Sequence, residues 1–215
     1  MEYVDERIAM LERESRRLKK EEAEKLSAAA AEKDNPVPKM TLEEMLDGVK
    51  NGMVAFQDGQ TCTFETRVYF EDQIPMVLIK DFYTGVEETQ AVAIFVNHEQ
   101  NASQILTVAD RPMEKQSIGK WKKQLVSGMR AMNTFAEVKK EIVLENLDYL
   151  IYRTPTGKGW THNIIFRIRF GSNKIVGNYN CFEKDKDTYG LLLEALVLRL
   201  NELLSMPLQG TLEGE

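Results

Sequence analysis

Cysteine is almost missing from this chain. Of 215 residues only Cys62 and Cys181 carry a thiol, and only His98 and His162 carry an imidazole. That is too few for a disulfide framework or a zinc site, and no ligand spacing links the four, so no metal ligand is assigned. Long apolar runs are missing as well: none approaches the roughly 20 residues that span a bilayer. The opening residues, Met1 to Arg7, have no apolar core of a signal peptide behind them, which predicts a cytoplasmic protein with no membrane insertion. Positive charge is not in excess either. The 28 Lys and Arg stand against 34 Asp and Glu, and a net charge of −6 argues against a general binder of nucleic acid or of anionic membranes. Finally, there is no catalytic or cofactor motif, which predicts a non-enzymatic protein without a cofactor.

What is present has the composition of a folded domain with a helical extension, 43% hydrophobic and 29% charged. Residues 1–35 are strongly helical in composition, and a long helix is expected over Glu2 to Glu32, with Glu12–Arg16 and Glu21–Lys25 in the favourable i,i+4 order. Ile8, Leu11 and Leu18 lie on its apolar seam, but Ser15 and Glu22 interrupt it and limit a coiled coil to about two heptads. Residues 36–40, with Pro36 and Pro38, form a linker. The domain proper is expected over residues 41–206, followed by a frayed tail over 207–215.

Inside the domain, Thr41 and Glu44 make a capping box that opens a short helix. Alternation then predicts strands around Cys62 to Phe70, Met76 to Tyr83, Ala91 to Asn97 and Ile105 to Val108. Helical spacing of Ile118, Trp121, Leu125, Met129 and Met132 predicts a helix starting near Asp110 to Pro112. Val138 to Glu145 and Leu147 to Tyr152 read as further strands.

The segment from Thr161 to Phe182 reads as a hairpin. Ile164, Phe166, Ile168 and Phe170 share one face of its first strand, and the turn Gly171 to Lys174 returns the chain through Ile175 to Phe182. Closed there, the hairpin sets Ile175 opposite Phe170, Tyr179 opposite Phe166 and Cys181 opposite Ile164. A final helix capped by Asp187 or Thr188 runs from Tyr189 to about Leu204. Leu191 and Leu198 exceed what one sheet contact requires of it. The fold class expected is α+β: a curved antiparallel sheet with helices on one face, preceded by the N-terminal helix.

Potential chemistry is weak. The hairpin brings His162 opposite Glu183 and diagonal to Cys181, a Cys/His/acid arrangement in outline, but Cys181 falls in line with core residues. Residues 154–159 combine Gly and Lys as phosphate-binding loops do, yet lead into a strand without the required spacing. Asp185 to Asp187 and Glu43–Glu44 are short charge runs with no third ligand. The open sheet face is the stronger candidate. Arg67 and Tyr69 on one strand and Ile165, Arg167, Arg169, Asn178 and Asn180 on the hairpin mix aromatic, aliphatic and arginine side chains, as a protein or peptide interface does.

The order of elements resembles the PsbP-like superfamily, in particular its DcrB-like branch, from about Gly52 to Leu204. The residues that carry the likeness are the helix from Ile118 to Met132, the strand Val138 to Leu144, the segment Leu147 to Tyr152, the Gly171 hairpin, and Tyr179 to Cys181 leading into Asp187 to Leu191. The resemblance implies a bacterial binding protein with a curved antiparallel sheet. One cytoplasmic group of that family serves as chaperones for hydrophobic segments of secretion-system effectors, and the lack of an export signal favours that role here. The alternative is an assembly subunit that forms a homo-oligomer through Ile8, Leu11, Leu18, Leu191 and Leu198.

Overall fold

The computed structural model describes residues 10, 13–22, 40–56, 59–71, 73–169 and 171–206. Residues 13–22 form helix α1, and Met10 is helical as well; the remaining positions of the helix expected over Glu2 to Glu32, including Ile8 and Leu11, lie outside the described residues. Helix α2 (Leu42–Lys50) opens on the expected capping box, in which the Glu44 N–H donates to Thr41 Oγ1 at 3.2 Å and the Thr41 N–H donates to the Glu44 carboxylate at 2.8 Å.

Two antiparallel sheets follow where one was expected. β1 (Met53–Ala55), β2 (Thr61–Tyr69) and β3 (Ile74–Ile79) make the small one. The large one contains β4 (Gly85–Glu88), β5 (Val92–Asn97), β6 (Ala102–Val108), β7 (Glu137–Val143), β8 (Leu147–Thr156), β9 (Gly159–Ile168) and β10 (Ile175–Phe182). Its strand order is β4-β5-β6-β10-β9-β8-β7, open at both ends and not closed into a barrel. Helix α3 (Ile118–Ala131) connects β6 to β7, and α4 (Leu191–Ser205) ends the domain. The chain is therefore mixed α+β, as its patterns predict.

The large sheet has an inner and an outer face. Ala93, Phe95, Leu106, Tyr149, Ile151, Ile164, Phe166, Ile168, Ile175 and Tyr179 point inward and are all buried. Over β8 and β9 they meet the apolar face of α4, with Leu192, Leu193, Leu196, Val197 and Leu200 buried against them. Over β5 and β6 they meet the small sheet, whose strand β3 is buried at every residue. Gln104 ties the two sheets together: it is fully buried, donates to the Val77 carbonyl at 3.0 Å and accepts from the Tyr83 hydroxyl. Each buried amide group thereby keeps a partner. Glu194 does the same for α4, accepting from Tyr149 Oη at 3.0 Å and from Lys140 Nζ at 3.3 Å.

Four local expectations are corrected. The hairpin pairs Tyr179 with Ile164, Gly177 with Phe166 and Cys181 with His162, two residues away from the register read from a tight turn. The reason lies in the turn: the Arg169 N–H donates to the Asn146 carbonyl at 2.7 Å, and Asn173 exchanges bonds with Met113 at 2.9 and 2.8 Å. Those partners draw Arg169 and Asn173 out of the ladder. An even shift preserves the faces, so the inward assignment of Ile164, Phe166 and Ile168 survives, while Phe170 lies outside the described residues. Next, β8 ends at Thr156 and β9 begins at Gly159, so residues 154–159, compared above with phosphate-binding loops, lie mostly in strands and leave a two-residue hairpin turn. Asp187 and Thr188 do not cap α4; they lie in a π turn (Lys186–Gly190) that feeds it directly. Lastly, α3 starts after the cap Ser117 and lies on the outer face, so the helices do not all share one side.

Candidate functional site

The ladders place the outward side chains of the large sheet in three rows. One row runs Val92, Thr107, Val176, Arg167, Asp148; the next Ile94, Ile105, Asn178, Ile165, Leu150; the third Val96, Ser103, Asn180, Asn163, Tyr152. Each row crosses from β5 through β6, β10 and β9 to β8. Their burial changes midway. Asp148, Leu150, Tyr152, Asn163 and Arg167 are buried, whereas Val92, Ile94, Val96, Ile105, Thr107, Val176, Asn178 and Asn180 are half-exposed.

Helix α3 explains the buried half. Its Lys122 pairs with Glu141 of β7 at 2.7 Å, and its Trp121 ring stacks on the Arg167 guanidinium, 4.8 Å from the centroid. Beneath that roof Arg167 donates twice to Asp148 Oδ2, from Nε at 3.0 Å and from Nη2 at 2.7 Å, and once to the Gln116 carbonyl at 2.7 Å. Both side chains of this pair are more than nine-tenths buried. A charge pair at that depth holds only because its hydrogen bonds replace hydration.

The roof stops at β9. Helix α3 packs on β7, and over β5, β6 and β10 the outward β-branched side chains Val92, Ile94, Val96, Ile105 and Val176 stand side by side and are half-buried. At one end of this surface a trough of about 580 Å³ is lined by Val96, Ser103, Lys158, Asn180 and Phe182.

The seven residues proposed as one interface do not form one surface. Ile165, Asn178 and Asn180 lie on the outer face, with Asn180 donating to Ser103 Oγ at 2.8 Å. Arg167 is beneath α3, and Arg169 sits beyond the sheet edge, where it donates to the Leu144 and Glu145 carbonyls. Arg67 and Tyr69 belong to the small sheet, on the opposite side of the large one: Tyr69 packs on Phe95 and donates to Glu88 at 2.5 Å, and Arg67 pairs with Glu65 at 2.6 Å. Of the five leucine and isoleucine positions assigned to oligomerisation, Leu191 and Leu198 are half-buried against the core and Leu18 is half-buried in α1.

Around Cys181 the acid and the imidazole do meet, with His162 Nδ1 3.4 Å from Glu183. Burial, then the charges of Asp185 and Glu183, push the Cys181 thiol far above its usual range, which disfavours a thiolate. Glu183 also faces Arg153 at 3.8 Å, and Arg153 binds Glu137 at 3.1 Å and Glu22 at 2.8 Å while stacking on Trp160. This hub attaches α1 to the sheet. Burial opposes ionisation of Glu137, but hydrogen bonds from Lys139 and Arg153 and their charges hold its carboxyl down at about 2. Among the described residues no group of three or more His, Cys, Asp or Glu is placed to hold a metal ion, and no helix is long and apolar enough to cross a membrane.

Two features escape a pattern reading. Asp148 gives no local signal that it is the buried partner of Arg167, since nothing along the chain links positions nineteen residues apart. The half-buried outer strip of β5 does leave a trace: both faces of Val92 to Asn97 are largely apolar, and a strand apolar on both faces in an antiparallel sheet implies a second surface that is covered or bound.

No family model matches the chain, and no curated protein matches it. Among solved structures it is similar to the cyanobacterial PsbP (CyanoP) of Synechocystis sp. PCC 6803, at 13% identity with a TM-score of 0.51, over 63% of this chain and 89% of that one. It is also similar to PA94 of Pseudomonas aeruginosa, a protein of unknown function, at 9% identity with a TM-score of 0.43, over 66% of this chain and 99% of that one. The first likeness establishes a PsbP-like topology.

Proposed function

We propose that this chain is a non-enzymatic binding module that holds an apolar segment of a partner protein on the unroofed half of its large sheet, acting in the cytoplasm as a chaperone or adaptor. The observation that carries this reading is the block of half-exposed β-branched side chains, Val92, Ile94, Val96, Ile105 and Val176, on adjacent strands of one face. Aliphatic side chains set at neighbouring ladder positions lose free energy when water leaves all of them together, about 25 cal/mol for each Å² of apolar surface covered. Thr107, Asn178 and Asn180 beside them supply hydrogen-bonding groups to orient a guest chain. The PsbP-like topology is compatible with this reading, because the resembled family includes chaperones for hydrophobic effector segments.

The test is direct binding. A short fluorescein-labelled peptide rich in Val and Leu is titrated with the full chain, and its anisotropy is followed. Binding is expected to be lost in Ile94→Glu and Ile105→Glu and kept in Arg67→Gln, which lies on the small sheet. Equal affinity for all three variants and the unaltered chain would refute the proposal.

A further inference from the structure

Beyond the apolar surface, and independent of it, a second feature of the outer face has the composition of a ligand site. Where residues 113–116 cross the β9–β10 turn on their way to α3, they leave a cleft of about 530 Å³ whose walls include Lys115, Gln116, Asp148, Arg167 and Arg169. Its buried wall is unfinished in two complementary ways. Asp148 Oδ1 and Gln116 Oε1 are buried acceptors without a hydrogen-bond donor, and the nearest cation to Asp148 Oδ1 outside its own pair, Arg169 Nη2, stands 3.6 Å away. Conversely, the Nε and Nη2 of Arg167 are engaged, while its Nη1 makes no hydrogen bond among the described residues.

These demands select the ligand. Lys115, Arg167 and Arg169 outweigh Asp148 and Glu114 by one positive charge, which favours an anion and repels a metal ion or a simple amine. An anion with acceptors only, such as sulfate, satisfies the arginines and leaves the two buried oxygens stranded, at a cost typical of unpaired buried polar groups. A ligand that carries a donor beside its acid group answers both. The recognising groups are also held in advance: Trp121 stacks on Arg167, and Asp148 with the Gln116 carbonyl fixes the guanidinium plane, so little side-chain freedom is lost on binding.

We infer that this cleft binds a small hydroxy- or amino-carboxylate, its carboxylate on Arg167 and Arg169 and its hydroxyl or ammonium group on Asp148 and Gln116.

Trp121 supplies the reporter. The full chain holds two tryptophans, Trp121 and Trp160, so a 15N-labelled sample gives two indole N–H resonances, assigned with a Trp160→Phe variant. Succinate, malate and aspartate are titrated in turn; malate and aspartate differ from succinate by one hydroxyl and one ammonium group. The expected result is a saturable shift of the Trp121 indole, a static Trp160 indole, and affinity for malate or aspartate at least about tenfold above that for succinate, the worth of one hydrogen bond to a charged group. Arg169→Gln, which alters a partly exposed side chain and leaves the buried pair in place, is expected to weaken all three. A Trp121 resonance unmoved by any of the acids overturns the inference. So does equal affinity for the three, or an Arg169→Gln variant that binds as the unaltered chain does.

Discussion

Two neighbouring steps of one ladder show how differently the faces of the large sheet are held. At the first, Gly177 opposes Phe166 on the inner face, and a Cβ at Gly177 would stand 1.9 Å from Phe166 Cζ; the ring occupies the space that the glycine leaves. At the second, Val176 opposes Arg167 on the outer face, where a buried guanidinium is neutralised by Asp148 and roofed by Trp121. The inner step is stabilised by shape, the outer one by charge. Apolar packing tolerates small rearrangement, whereas a buried ion pair fails as a unit when either member goes. The inner face is sealed by α4 and the small sheet, with Glu194 and Gln104 satisfied inside the packing; the buried ion pair of the outer face lies beneath α3.

This contrast is broken most severely on the outer side. Arg167→Leu strands Asp148 in a buried site and is expected to cost about 3–5 kcal/mol, read as a lower midpoint in urea at unchanged slope. The double variant Asp148→Leu/Arg167→Leu is expected to regain much of that loss, because two apolar side chains leave no unpaired charge. If the double variant is as unstable as the sum of the singles, the pair is not the unit described here.

On the inner side, Gly177→Ala forces the Phe166 ring, which also packs edge-on against Tyr179 at 5.0 Å, out of its place. Overpacking of this kind costs about 1–3 kcal/mol, and the close approach puts the value at the upper end. Thermal unfolding by circular dichroism measures it. Adding Phe166→Leu to Gly177→Ala is expected to restore part of the loss, since it removes the atoms in collision.

A third test concerns the hub that joins α1 to the sheet. Burial raises the Glu137 carboxyl, but Lys139 and Arg153 overcome it and hold the group down at about 2, against an ordinary 4.5. A depressed acid stabilises the fold fully above its unfolded value and loses that contribution as pH falls. Stability should therefore decline from about pH 4.5 toward 2, and Glu137→Gln should flatten that limb. Urea midpoints measured across that range provide the comparison; an unaltered limb in the variant removes Glu137 from the account.

Much of this organisation is legible along the chain, because alternation and helical spacing are local. The strand Thr61–Tyr69, the Thr41 cap, and the inward set Ile164, Phe166 and Ile168 all follow from neighbours a few residues apart. What is not legible depends on contacts distant in sequence. The two-residue register shift arises from Asn173 meeting Met113 and from Arg169 meeting the β7–β8 turn. The separation of Arg67 and Tyr69 from the hairpin arises because Ile79 ends β3 and the chain leaves to begin a second sheet, a break that three consecutive alternating strands do not announce. Arg167 alternates outward as expected, but alternation says which face a residue takes and nothing about what roofs that face.

The mildest change bears most on function. Ile94→Ser alters a half-buried side chain on the outer face, where the cross-strand neighbours are Ile105 and Glu87. A substitution there, away from caps, buried charges and the inner core, is expected to cost about 1 kcal/mol, in contrast to its inward neighbour Phe95, whose truncation to Ala would cost about 3–5. The same serine should lower affinity for an apolar peptide, since it removes an aliphatic contact at the centre of the outward β-branched block. A large loss of stability in Ile94→Ser would mean that this side chain is already covered, and with it the distinction between a sealed face and an open one would disappear. A small loss of stability with weakened peptide binding separates the two faces by what they do: one holds the fold together, and the other takes a partner.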